Sequence, residues 1–146
     1  MSLGGNLALF LASKVPSLHA VVVGAPAPMW FLGVKMPTTG PGAPRPDLST
    51  LKPDSAIAGA NIATIETPIL MLVGTADPLL PIDRTLHDEL ASRGKSIRME
   101  IYEHGYHDFV LGPQGHKRPD LPQGEILLQG ALDALERTLK FVAQPR

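Results

Sequence analysis

The 146-residue sequence contains no cysteine. That excludes a disulfide framework, a thiolate zinc ribbon and a cysteine nucleophile, and it fits a cytoplasmic location. Aromatic residues are scarce at 5%, too few for the stacking platforms that hold single-stranded nucleic acid. Charge of one sign is lacking too: 13 Lys+Arg against 14 Asp+Glu leave a net charge of -1. With no basic run to collect phosphates, nucleic acid is not expected as a partner. Long hydrophobic runs are also missing, since none reaches the roughly eighteen residues that span a bilayer. The start has neither the basic region nor the apolar stretch of a secretory signal. A membrane is therefore not an expected partner either.

What is present points to a folded domain. Apolar residues make up 44% of the chain, which excludes a disordered polyelectrolyte, and the length suits one domain with a modest core. Glycine (14) and proline (15) are abundant enough to predict many short elements joined by sharp turns rather than a helical bundle.

The hydrophobic pattern predicts the order of those elements. Leu7, Phe10 and Leu11 give residues 3–14 an apolar helical face, with Ser2 and two glycines at its entry. The run from Ala20 to Val23 and the run from Ile69 to Val73 are continuous and apolar, as in parallel strands covered on both faces. Ile82, Leu86 and Leu90 recur every four residues and predict a helix that Gly94 ends. Ile97, Met99 and Ile101 alternate with Arg98, Glu100 and Tyr102, as on a sheet edge. A final amphipathic helix carries Ala134, Leu135 and Leu139 on one side. Between the first two strands, residues 27–60 are rich in proline and glycine and predict a lid-like insertion. Within it, Met29, Trp30 and Phe31 are candidate walls of a substrate pocket. Alternating strands and helices argue for an α/β fold with a mainly parallel sheet flanked by helices.

In such a sheet the loops at the carboxyl ends of the strands gather the chemistry. Ser2 opens the first helix, Asp77 follows the second strand and His107 follows the third. A serine at a sharp turn into a helix exposes its Oγ beside backbone N–H groups. Histidine can accept its proton, and aspartate can hold the imidazole in the tautomer that does so.

The residues Met1-Ser2-Leu3-Gly4-Gly5, Gly74-Thr75-Ala76-Asp77-Pro78 and Glu103-His104-Gly105-Tyr106-His107 resemble the nucleophile elbow, acid loop and histidine loop of α/β-hydrolases. The resemblance is closest to the dienelactone hydrolase and small carboxylesterase group. It implies a serine hydrolase acting on small carboxylic esters or lactones through an acyl-enzyme. Ser2 would be the nucleophile, Asp77 the acid, His107 the base and the Leu3 N–H an oxyanion donor, with no cofactor and no metal. Members of this group carry further strands before the nucleophile. The resemblance therefore implies a single partial domain over residues 1–146, a truncated C-terminal half with the N-terminal strands missing. Its partners would be a small ester or lactone substrate and either a second copy, as a homo-oligomer, or a complementing N-terminal fragment. A catalytically silent fragment that pairs in this way is the alternative from a different class; a serine peptidase or acyltransferase is the alternative with the same triad.

Overall fold

The computed structural model describes residues 1–36, 46–107, 109–111 and 125–145. In chain order its main elements are α1 (Ser2–Lys14), β1 (Val21–Gly24), α2 (Ser55–Ala63), β2 (Ile69–Gly74), α3 (Leu80–Ser92), β3 (Ile97–Tyr102) and α4 (Glu125–Val142). The three strands form one sheet in the order β1-β2-β3, parallel throughout. Val21 stands opposite Ile69, which stands opposite Ile97.

The central strand explains the layering. All six residues of β2 are buried, because both faces of a middle parallel strand are covered. Ile69, Met71 and Val73 join Leu9 and Ala12 of α1, Ile62 of α2 and Ile82, Leu86 and Leu90 of α3 in the larger core. Leu70 and Leu72 point the other way, into a smaller core with Phe109 and Ala134 of α4. The period-two alternation of one strand thus feeds two helical layers. On β3, Ile97 and Met99 pack against the larger core, whereas Ile101, which the alternation places on the same face, is exposed near the end of this edge strand.

The structure departs from the sequence reading in three places. The N-terminal part is not absent: α1 and β1 are both in place, and β1 supplies one edge of the sheet. The second departure is α2, which lies at the end of the segment expected to be irregular. Asp54 caps it, its carboxylate accepting hydrogen bonds from the N–H groups of Ala56 and Ile57 at 3.0 and 3.1 Å. Ala58 and Ile62 then anchor the helix in the larger core. The described part of the expected lid also packs inward, since Phe31, Leu32 and Val34 are all buried; residues 37–45 of that segment lie outside the described residues. The third departure concerns α4, where Leu135 and Leu139 face outward and Ala134 faces in. Small residues let α4 approach the sheet closely. A Cβ on Gly130 would sit in ordinary contact with the Tyr102 ring, at 3.7 Å. Among the described residues no helix is long and apolar enough to cross a membrane.

Candidate active site

The carboxyl ends of the three strands bring the chemistry-bearing residues to one edge of the molecule. After β1 the chain turns through Ala25 and Ala27, both with positive φ. The carbonyl of Ala25 accepts a hydrogen bond from the Ser2 N–H at 2.8 Å, so the start of α1 is tied to the end of β1. Ser2 itself has φ of 49°, a left-handed conformation that a residue with a Cβ seldom adopts and that clusters at functional turns. As residues of the first turn, Ser2, Leu3 and Gly4 have N–H groups with no carbonyl partner inside the helix. The next, that of Gly5, is bonded to the Met1 carbonyl at 3.1 Å.

Of the two glycines after Ser2, only the second is sterically demanded. A Cβ on Gly4 would meet nothing within 4 Å, whereas one on Gly5 would come within 2.7 Å of the Pro26 backbone. The helix that carries Ser2 therefore lies against the chain leaving β1.

Asp77 and His107 are in direct contact. The Asp77 side chain is fully buried, and its Oδ2 lies 2.9 Å from His107 Nδ1. Its other oxygen, Oδ1, accepts the N–H of Leu79 at 2.8 Å. A carboxylate can only accept here, so Nδ1 carries a ring proton, and in the neutral ring the lone pair is on Nε2. The two loops that hold this pair are themselves laced together. Ala76 donates its N–H to the Gly105 carbonyl at 2.8 Å, Thr75 donates its own to the Tyr102 carbonyl at 2.9 Å, and the Thr75 hydroxyl accepts the His104 N–H at 2.8 Å.

Gly74 makes this lacing possible. A Cβ there would fall 2.0 Å from the Gly105 carbonyl oxygen and 2.2 Å from its carbon. Backbone cannot yield as a side-chain tip can, so Gly74→Ala is expected to destabilise the fold by at least about 3 kcal/mol, the upper end of overpacking. It should also part Asp77 from His107. Urea unfolding checks the first effect, and loss of the downfield Nδ1–H resonance of His107 checks the second.

Two cavities adjoin the site. One of about 220 Å³ is lined by Ser2, Leu3, Asn6, Ala27, Met29 and Trp30. The other, of about 490 Å³, is lined by Met29, Met36, Pro46, Asp47, Leu48, Pro78 and Leu79. Met29 belongs to both and Trp30 is 63% exposed. Phe31 stands apart from its two neighbours. It is fully buried, with its ring edge-on to Phe10 at 5.3 Å, and it serves the core.

Two asparagines that the sequence reading passed over hold this wall in place. The carboxamide oxygen of Asn6 accepts the Phe31 N–H at 3.2 Å, and Asn61 donates to the Phe31 carbonyl at 2.7 Å. The signal for Asn6 was its place on an apolar face, where a polar group must find a partner.

Residues 1–144 match the sequence model of the dienelactone hydrolase family. The chain belongs to that family. The match takes in the first residues, with α1 and β1, and so corrects the reading of the sequence as a C-terminal half without its N-terminal strands.

Solved structures agree on the fold of this family member. A Klebsiella pneumoniae protein assigned as a dienelactone hydrolase superposes with a TM-score of 0.61 at 18% identity. An esterase from Pyrobaculum calidifontis gives 0.60 at 21%, and the Francisella virulence factor BioJ gives 0.59 at 16%. The alignments cover 99%, 97% and 97% of this chain in that order, and 50%, 50% and 49% of the others. The chain thus spans about half the length of the structures it matches. No curated protein is similar enough to match.

Proposed function

We propose that this family member is a serine hydrolase for small carboxylic esters or lactones. The observation that carries the proposal is the Asp77–His107 contact of 2.9 Å at the sheet end where Ser2 is held at φ of 49°. With Nδ1–H engaged by Asp77, His107 Nε2 takes the proton of the Ser2 hydroxyl as its oxygen attacks the substrate carbonyl carbon. The carbonyl π electrons move onto oxygen, and the Leu3 N–H donates to the oxyanion formed. Collapse expels the alkoxide, which leaves with the proton from His107, and the acyl group stays on Ser2 as an ester. Water then gives its proton to His107 as it attacks the acyl carbon, and collapse breaks the acyl–Oγ bond and releases the acid as His107 returns that proton to Ser2 Oγ. A lactone follows the same steps with its alcohol still tethered. Met29 and Trp30 wall the cleft beside Ser2 and favour an apolar substituent there.

Intact mass after exposure to a fluorophosphonate tests the reading. The expected result is a single adduct on Ser2, formed with loss of fluoride and absent from Ser2→Ala. A folded wild-type protein that gains no mass overturns it.

A further inference from the structure

The cavity of about 220 Å³ that Ser2 lines is otherwise walled by Leu3, Ala27, Met29 and Trp30, all apolar, and by Asn6. Asn6 follows Ser2 by one turn of α1. Residues four apart share a helix face, and the later side chain leans back over the earlier turn. Only 2% of Asn6 is exposed, so each of its polar atoms needs an account.

The carboxamide oxygen has one. It accepts the Phe31 N–H at 3.2 Å, and because a backbone N–H bonds only to an acceptor, this contact also fixes which way the amide faces. The NH₂ group takes the other side. It offers two donor hydrogens and has no acceptor among the described residues. Nor is Nδ2 sealed in the core, since it is not one of the buried side-chain atoms left without a partner. The small exposed part of Asn6 therefore includes this nitrogen, and the cavity is where it opens. A donor withdrawn into such apolar surroundings has lost its solvent without compensation, and a ligand that brings an acceptor restores the bond.

We propose that Asn6 is a specificity-determining residue whose Nδ2 donates a hydrogen bond to an oxygen within the acyl group of the substrate. The preferred substrates are then esters of short acids that carry a hydroxyl, ether or keto oxygen along the chain. The inference rests on the hydrolase reading, which leaves the acyl group on Ser2 and so beside this cavity. A hydrocarbon chain of the same size would fill the cavity, shut water away from the donor and leave it unpaired. The oxygenated ester should gain about three- to tenfold in kcat/KM, the size of one net hydrogen bond.

Methoxyacetate and butyrate esters of one phenol test this, because an ether oxygen replaces a single methylene at nearly constant volume. The 3-methoxypropanoate and pentanoate esters move the oxygen one carbon further along. Each rate is divided by that ester's rate with hydroxide, which removes the difference in intrinsic reactivity. Wild type should favour the oxygenated member of at least one pair by the factor given, and Asn6→Asp should not. In that variant one carboxylate oxygen still takes the Phe31 N–H, while the other replaces the donor nitrogen. A wild-type ratio of one for both pairs overturns the proposal. So does a variant that slows both esters equally and keeps the preference, as a merely structural asparagine would.

A second arm needs no reaction. In Ser2→Ala the side-chain nitrogen-15 and proton signals of Asn6 should move when an oxygenated ester is added and stay in place with its hydrocarbon partner. Signals indifferent to both oxygenated esters overturn the proposal. A wild-type chain that gains no fluorophosphonate adduct while these signals move overturns the hydrolase reading and upholds the oxygen-binding role of Asn6.

Discussion

On the proposed reading, Asp77→Asn is expected to lower the rate of Ser2 acylation about 10⁴-fold, close to the effect of the same change in a serine-protease triad. The geometry says why an isosteric change should matter so much. The Leu79 N–H, 2.8 Å from Oδ1, requires an acceptor at that position. An asparagine would meet the requirement with its carbonyl oxygen, which turns the NH₂ group toward His107. Nδ1 must then accept rather than donate, so the ring proton moves to Nε2. A histidine protonated there has no lone pair to take the serine proton. The loss corresponds to about 5 kcal/mol of transition-state stabilisation, lodged in the choice of tautomer. Circular dichroism should be unchanged, because the hydrogen-bonding shape of the turn is kept. An Asp77→Asn protein that labels within tenfold of wild type would show that His107 does not depend on Asp77 for its tautomer.

That Asp77 and His107 follow strands was legible in the sequence, from a continuous apolar run before the first and an alternating one before the second. Ile69 to Val73 can only be a covered strand, and Asp77 lies in the loop that follows it. Gly74 and Gly105 were visible only as turn residues; that their backbones touch is a property of two loops meeting, which no local pattern records. The helix over Ser55–Ala63 was hidden by its prolines upstream and by Gly59, although Asp54 followed by Ser-Ala-Ile carries a cap signal. The outward turn of Leu135 and Leu139 was hidden for another reason. Periodicity says that a helix has an apolar side, but here the side that carries Ala134 is the one that docks. The burial of Asp83 was not legible either. Beside the four-residue spacing of Ile82, Leu86 and Leu90 an aspartate reads as solvated, and only the fold shows that it is buried.

Stability should fall as the solution is made alkaline, and Asp83 should be the cause. Its folded-state value of about 8 stands against 3.8 in the unfolded chain, so between those values the folded state binds the extra proton. Stability contributed by that proton is fully present below about pH 4 and is lost progressively as pH rises toward 8, above which both states are ionised. At about 1.4 kcal/mol per unit the whole span is on the order of 5 kcal/mol, and roughly half of it falls between pH 6 and 9. For a domain of this size that half lowers the Tm by about 10 °C. Asp83→Asn keeps the shape of the neutral acid and has no proton to lose, so its Tm should stay level across the same window and exceed that of wild type at pH 9. Groups other than Asp83 that titrate in this interval are common to both proteins, so the difference between wild type and Asp83→Asn isolates the buried carboxyl. A wild-type Tm that is flat from pH 6 to 9, parallel to that of Asp83→Asn, would mean that the carboxyl ionises without penalty and that its surroundings are wetter than the packing around α3 allows.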